Sequence, residues 1–175
     1  TVISSYHNDK ETEKIQTDTK PTVQLIKANI INEEEVEKLV SEILDKYGRI
    51  DILVNVVGAF RGGKTVMELE EKEWDMMMNV NLKSAFLISK HVARQMISSK
   101  YRKIIHVSSR LGLHSEGRDS AYAASKSGLI RLVESLAEET RNSNINVNCI
   151  MPSIIDTQAN RKAMPNADFN KWVKP

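Results

Sequence analysis

Strand-like and helix-like segments alternate along the chain, and this order limits the folds that are open to it. Short apolar runs begin at Thr1, Val23, Ile50, Lys103 and Ile145. The run from Ile50 ends at a glycine, which is typical of a strand buried on both faces. Helical patterns lie between most of these runs. The alternation predicts an α/β fold, a doubly wound parallel sheet of Rossmann-like type with helices on both faces.

One predicted helix has both of its ends marked. The stretch INEEEVEKLVSEILDKYG offers Asn32 as an N-cap, acidic residues in its first turn and Gly48 as a stop. Two helical stretches are also predicted within 68–100, and another over 122–140. No linker or repeat divides the chain, so residues 1–175 are predicted to form a single domain.

Composition argues against several classes of protein. The formal net charge is only +2 and no dense run of lysine and arginine occurs, so no nucleic-acid or membrane-surface partner is indicated. We expect no bilayer-spanning segment, because no apolar run is long enough, and no signal peptide, because the N-terminus TVISSYHNDK lacks a basic-then-apolar order. The single cysteine, Cys149, fits a reducing compartment and is interpreted as a core residue. A cytoplasmic protein without a metal site is predicted.

A tyrosine and a lysine stand out in the run SAYAASKSG, which places Tyr122 and Lys126 one helical turn apart. The spacing alone is a weak signal, since Tyr6 and Lys10 repeat it in a polar stretch. In a doubly wound sheet, ligands bind at the carboxyl ends of the strands. Ser109 follows one such strand, thirteen residues before Tyr122. The context therefore favours a reactive group over a core ring and a solvated charge.

These residue types suit proton transfer to a carbonyl oxygen. A free tyrosine has a pKa of about 10, and a neighbouring ammonium favours the phenolate. A serine hydroxyl can donate to an oxygen that becomes an alkoxide. No side chain supplies a hydride, so a redox reaction at such a site requires a nicotinamide.

The motifs VNVVG, NVNL, VSS, Y-x-x-x-K and P-x-I-I-D-T, in this order, resemble the pattern of the short-chain dehydrogenase/reductase family. The resemblance covers nearly the whole chain. It implies an NAD(P)-dependent oxidoreductase that interconverts a carbonyl and an alcohol, with Tyr122 as general acid/base and Lys126 as its activator. Ser109 would orient the substrate oxygen. Asn81, expected to begin a helix, would hold the active-site helix and a water relay.

The resemblance also implies a set of cofactor contacts. They are Asn29, Ile30, Asn55, Val56, Val57, Gly58, Tyr122, Lys126, Pro152, Ile155 and Thr157. Ser4 and Ser5 stand where an acidic residue would bind the ribose hydroxyls of NAD, and His7 and Lys10 are nearby. This substitution favours NADP over NAD.

One part of the family pattern is not found. The glycine-rich loop that presents N–H groups to a pyrophosphate is not among the 175 residues. The chain is therefore expected to begin at the family's second strand, without the roughly 30 residues of one βα unit, and to stop before the family's C-terminal end. A fragment is favoured over a defective dehydrogenase. The rival interpretation is a cofactor-less binding or regulatory protein on the same scaffold.

A second resemblance concerns the substrate. The segment QANRKAMPNADFNKWVKP and the turn VGAFRGG are similar to those of dihydropteridine reductases, which implies Phe60 and Trp172 near the pocket. A pterin, a sugar, a 3-oxoacyl thioester or another small carbonyl compound remains open. The family is usually homotetrameric, so a homo-oligomer, tetramer or dimer, is expected through the helices over 81–100 and 122–140.

Overall fold

Parallel strands form the scaffold. The computed structural model describes residues 1–7, 23–97 and 102–175. Two sheets occur there, β1–β2 and β3–β4–β5, and every pairing is parallel. The predicted parallel α/β fold is confirmed, with its strand hydrogen bonds divided between two sheets. The strand bounds are β1 Val2–Tyr6, β2 Val23–Lys27, β3 Ile52–Asn55, β4 Arg102–Val107 and β5 Ile145–Ile150.

Helices lie between and after the strands. Their bounds are α1 Glu33–Tyr47, α2 Glu71–Met78, α3 Ser84–Met96, α4 Ser120–Thr140 and α5 Gln158–Ala163. Short 3-10 turns occur at Arg110–Gly112, Arg141–Ser143 and Phe169–Lys171. In the described ranges, every helix is too short or too polar to span a membrane.

The ends of α1 follow the local signals in its sequence. The side chain of Asn32 accepts a hydrogen bond from the backbone N–H of Glu35 at 3.3 Å. At the other end Gly48 has a φ of 72°, and its N–H donates to the carbonyl of Leu44 at 2.7 Å. A residue in the left-handed backbone conformation ends the helix here, and glycine adopts that conformation at no steric cost. Both predicted ends are confirmed.

The segment before α3 departs from expectation. A π-helical turn, Asn79–Lys83, joins α2 to α3 without a break. The prediction that Asn81 begins a helix is wrong, because Asn81 lies inside this continuous run and is fully buried. π turns are rare and often occur at functional sites. Residues 98–100 of the predicted stretch lie outside the described residues.

One hydrophobic cluster joins α1, α3 and α4 to strands of both sheets. Its fully buried members include Val36 of α1, Val92 of α3, Ile104 of β4 and Leu129 of α4. Burial of such side chains is the main favourable contribution to folding. This core fixes α4 against the second sheet and so sets where Tyr122 and Lys126 lie.

Strand β3 forms the outer edge of its sheet. Ile52 is 57% exposed and Val54 is 55% exposed. The prediction that this run is buried on both faces is wrong, because Ile52 and Val54 point to the same face of β3 and both are exposed. A cavity of about 560 Å³ runs along this edge and is also lined by Ile3, Ser4 and Ser5 of β1.

Candidate active site

The carboxyl ends of β3, β4 and β5 open onto a cavity of about 710 Å³. Gly58 follows β3, Ser109 follows β4 and Ile155 follows β5, and all three line the cavity. Tyr122 and Lys126 reach it from α4. The structure thus brings together residues from separate motifs at the edge where parallel sheets bind ligands.

Tyr122 and Lys126 lie one turn apart near the start of α4. The Lys126 ammonium lies 5.9 Å from the centre of the Tyr122 ring and donates to the carbonyl of Val107 at 2.9 Å. Lys126 is only 5% exposed. This burial lowers the pKa of its ammonium, and the nearby Cys149 side chain partly opposes the shift. A buried positive charge beside a phenol is suited to stabilising a phenolate.

Ser109 is buried at the first turn after β4. Its side-chain oxygen accepts a hydrogen bond from the backbone N–H of Leu111 at 3.2 Å, which caps the 3-10 turn that follows. A hydroxyl oxygen that accepts still has its own O–H to donate. Ser109 can therefore give a hydrogen bond to an oxygen in the cavity.

Asn81 connects the turn after β3 to α4. Its Oδ1 accepts from the N–H of Ala59 at 2.8 Å, and its Nδ2 donates to the carbonyl of Ala59 at 3.0 Å. The same Nδ2 donates to Oγ of Ser125 at 2.9 Å, and Ser125 donates to the carbonyl of Tyr122 at 2.7 Å. The side chain of Asn81 thus holds the turn against the helix that carries Tyr122. The water relay stays a prediction.

Gly58 has a steric reason to be glycine. A Cβ at this position would lie 3.0 Å from Oδ1 of Asn81 and 3.0 Å from Nζ of Lys126. Those distances are shorter than ordinary van der Waals contact, and Gly58 does not have a positive φ. Close approach of the backbone to Lys126, and not backbone conformation, therefore requires glycine here.

Of the two aromatic residues expected near the pocket, Phe60 lies in it and Trp172 does not. Phe60 lines the larger cavity and meets Tyr122 edge-on, with ring centres 4.9 Å apart and planes at 83°. Trp172 is buried against Phe169 at 4.8 Å and is not among the residues that line this cavity. Phe60 therefore forms a wall beside Tyr122.

The expected cofactor contacts fall into two groups. Gly58, Pro152, Ile155 and Thr157 line the larger cavity with Tyr122 and Lys126, whereas Ile30, Asn55 and Val57 line the cavity beside β3. Val56 lines both. Asn29 lines neither, and its Oδ1 accepts from the N–H of Ile31 at 3.3 Å. The two cavities meet at the end of β3.

Comparison with known proteins decides the family. A model of the short chain dehydrogenase family matches residues 1–168. The chain belongs to the short-chain dehydrogenase family. The resemblance seen in its motifs is therefore confirmed, while the likeness to dihydropteridine reductases stays a prediction.

Curated relatives are identical to this dehydrogenase-family chain at about a third of the aligned residues. A 3-oxoacyl-(acyl-carrier-protein) reductase of Thermotoga maritima is 36% identical over 134 residues, which cover 77% of this chain and 54% of that protein. An NAD-dependent glycerol dehydrogenase of Listeria innocua is 36% identical over 138 residues, covering 79% and 54%. The chain spans about half the length of the curated relatives it matches.

Solved structures share the fold of this short-chain dehydrogenase domain. The aldohexose dehydrogenase of Thermoplasma acidophilum superposes with a TM-score of 0.81 at 28% identity, covering 93% of this chain and 60% of that one. ElxO with NADP bound superposes with a TM-score of 0.91 at 21% identity, covering 99% and 75%. At 21% identity, the similarity to ElxO concerns the fold alone.

An ion-pair cluster holds the segment that follows β5 in this short-chain dehydrogenase. The Asp156 side chain is 6% exposed and accepts from Arg161 at 2.8 Å and from Lys174 at 2.7 Å. Arg161 and then Lys174 hold the pKa of this carboxyl well below its usual range. Ile155 also forms a parallel bridge with Val173. Asp156 therefore joins the wall of the larger cavity to the residues around Lys174.

Replacing Asp156 with alanine is expected to loosen this wall. We expect the KM for the substrate to rise by roughly three- to tenfold with little change in kcat, because each ion pair contributes only a modest free energy. Steady-state kinetics and hydrogen exchange of residues 154–175 check this. Glu138→Ala, which removes an exposed carboxylate paired with Arg141, is the matched control. Equal KM values for the two variants would contradict the prediction.

His106 is a fully buried histidine in β4. Its Nδ1 lies 3.2 Å from Nδ2 of Asn55, and its Nε2 lies 2.9 Å from Oγ of Ser89. Burial lowers the pKa of His106 to about 4, and the charge of Lys126 adds to the shift. The imidazole is therefore neutral near pH 7.

The buried neutral His106 is expected to make the fold acid-sensitive. Its ordinary pKa is 6.5, so the unfolded chain binds a proton between pH 6.5 and 4 while the folded chain does not. The free energy of unfolding therefore falls as pH drops through this window, by about 3 kcal/mol in total. Urea unfolding of the wild type and of His106→Gln at pH 7 to 4 measures this, and equal losses in the two proteins would refute it.

Sequence reasoning missed three residues of this site. Ser125 precedes Lys126 in the Y-x-x-x-K motif, and its bond to Asn81 joins two motifs that are far apart in the chain. Asp156 lies in the motif P-x-I-I-D-T, and an arginine five residues later is a local signal for its ion pair. His106 lies in the apolar run from Lys103, and its partners lie in other elements, so the local sequence carries no signal for its contacts.

Proposed function

We propose that the full-length protein interconverts a carbonyl and an alcohol by hydride transfer with NAD(P), with Tyr122 as the general acid/base. The observation that carries this proposal is that Tyr122, Lys126 and Ser109 line one cavity at the strand ends. A phenol, a buried ammonium and a hydroxyl able to donate are the groups that this chemistry needs. The family membership supports the same reaction class.

The surroundings of Lys126 fit a nicotinamide dinucleotide. The buried ammonium has hydrogens to donate beyond its bond to Val107, and a ribose hydroxyl can accept one of them. Beside it, Gly58 has no Cβ to crowd the ammonium, so the turn after β3 can lie close to Lys126. When bound, the nicotinamide supplies or takes up the hydride. We assign its contacts to the cavity-lining residues Ile30, Asn55, Val56, Val57, Gly58, Tyr122, Lys126, Pro152, Ile155 and Thr157. Asn29, which lines neither cavity, is proposed as a contact from the family resemblance alone.

In the reducing direction, the chain's own residues handle the proton. The Ser109 hydroxyl donates to the carbonyl oxygen and holds it near Tyr122. The Tyr122 phenol then gives its proton to that oxygen, so the phenol O–H bond breaks and the alcohol O–H bond forms. The charge of Lys126 stabilises the phenolate that remains. Oxidation of the alcohol reverses these steps.

The cofactor preference is proposed to be NADP. Ser4 and Ser5 of β1 line the cavity beside β3, and neither carries a negative charge that would repel a ribose phosphate. His7 is exposed after β1. Lys10, which the sequence also indicated, lies outside the described residues.

The first substrate candidate is a 3-oxoacyl thioester, because relatives such as that of Thermotoga maritima are named for this reaction. The test is oxidation of NADPH by the purified protein with a 3-oxoacyl thioester, a pterin or a small ketone, together with reduction of NADP by an aldohexose. We expect turnover matched by product, fastest with the thioester. No turnover of any of these compounds with either NADPH or NADH would overturn the proposal.

Two broader expectations belong with this function. We propose a homo-oligomer, a tetramer or dimer, formed through α3 and α4, where Phe86 of α3 is 46% exposed. A cytoplasmic location stays a prediction.

A further inference from the structure

A chain of hydrogen bonds crosses the sheet behind the proposed cofactor site. It starts at Ser89 of α3, passes through His106 of β4 and reaches Asn55 at the end of β3. From Asn55 it continues to the backbone N–H of Val57, which donates to Oδ1 at 3.2 Å. All three side chains are buried.

The chemistry of these groups permits only one arrangement of protons. The N–H of Val57 can only donate, so the Asn55 oxygen must face it and the Asn55 amide must face His106. Nδ1 of His106 is therefore the acceptor, and the ring proton is on Nε2, where it donates to Ser89. The Val57 N–H thus sets which way the Asn55 carboxamide points, and His106 in this tautomer accepts from the Asn55 amide and holds it there.

We propose that His106 is a positioning residue for the turn Asn55–Ala59, and that it sets the affinity of this turn for a nicotinamide dinucleotide. The turn is held at both ends, by His106 through Asn55 and by Asn81 through Ala59. Between these ends, Gly58 lies against Lys126. Loss of either anchor allows the turn to move away from the lysine.

The inference about affinity rests on the proposed function, whereas the anchoring itself does not. Hydrogen exchange of the Val57 amide reports the anchoring without any cofactor. Long-range nitrogen–proton NMR of the His106 ring reports whether the proton is on Nε2. These two readouts therefore separate a failure of the inference from a failure of the oxidoreductase proposal.

Two variants of His106 differ in whether they can accept the hydrogen bond from Asn55. His106→Leu removes the acceptor for Asn55, and His106→Gln keeps an oxygen that accepts and an amide that donates. Met96→Ala, in the core of α3 and fully buried, is the control for a loss of stability that does not touch the turn. Each protein is compared with the wild type in Val57 exchange and in KM for NADPH.

We expect His106→Leu to raise Val57 exchange and the KM for NADPH by about tenfold each, the scale of one hydrogen bond, with kcat changed little. His106→Gln is expected to restore both values to within about twofold, and Met96→Ala to leave both unchanged. Equal behaviour of His106→Leu and Met96→Ala, or a glutamine variant no better than leucine, would overturn the inference. Absence of NADPH binding in the wild type would instead overturn the proposed function.

Discussion

Replacing Tyr122 with phenylalanine is expected to lower kcat by a factor of about 10²–10⁴, the usual contribution of a general acid/base. Among the described contacts, Tyr122 uses its ring against Phe60 and its backbone carbonyl with Ser125. Phenylalanine keeps both contacts and loses only the phenolic O–H. The fold should therefore stay unchanged while proton transfer fails, and the affinity for NADPH should fall only slightly, because one of several assigned contacts loses its O–H.

Steady-state kinetics, a thermal melt and an NADPH titration on Tyr122→Phe measure these three properties. Tyr6→Phe is the matched control, because Tyr6 has a lysine at the same spacing but lies in β1, away from the larger cavity. We expect the control to behave as the wild type. A Tyr122→Phe variant with wild-type kcat would remove Tyr122 from the mechanism.

The second large effect is expected from Lys126→Met. Methionine is nearly as long as lysine but carries no charge, so the phenolate loses its stabilising partner and the cofactor loses the hydrogen bond from the ammonium. We expect kcat/KM to fall by about 10² or more, since the charge of Lys126 is lost both from cofactor binding and from proton transfer by Tyr122. The melting temperature, by contrast, should stay level or rise, because the wild type buries an ammonium at 5% exposure.

The pH dependence of stability separates this charge effect from packing. Burial lowers the pKa of Lys126 below its ordinary value of 10.5, so the unfolded chain holds the proton to higher pH than the folded chain does. The wild type should therefore gain stability relative to Lys126→Met as pH rises toward 10.5. Denaturant unfolding of both proteins across alkaline pH measures the difference. A difference that is constant with pH would show that the buried charge is not the cause.

The parts of the fold that local chemistry determines could be predicted from the sequence. Asn32 and Gly48 mark the ends of α1 because capping depends on neighbouring residues only. The meeting of Tyr122, Lys126 and Ser109 in one cavity also followed, since helical spacing and strand ends are local patterns combined with one rule of parallel sheets.

Other features depend on partners that are distant in the chain. The π turn at Asn81 accompanies bonds to Ala59 and Ser125, which are 22 and 44 residues away in the chain. Whether a face of β3 is covered depends on elements that are distant in the chain, and a continuous apolar run carries no information about them. His106 satisfies both ring nitrogens across three elements, so its sequence context indicated only burial.

The most direct test of the proposed site is a calorimetric titration of the full-length protein with NADPH and with NADH. Saturable binding of about one dinucleotide per chain is predicted, tighter for NADPH and weakened in Lys126→Met, because a ribose hydroxyl can accept a hydrogen bond from the lysine. Absence of saturable binding to either dinucleotide would contradict the assignment of this cavity to a nicotinamide-dependent oxidoreductase.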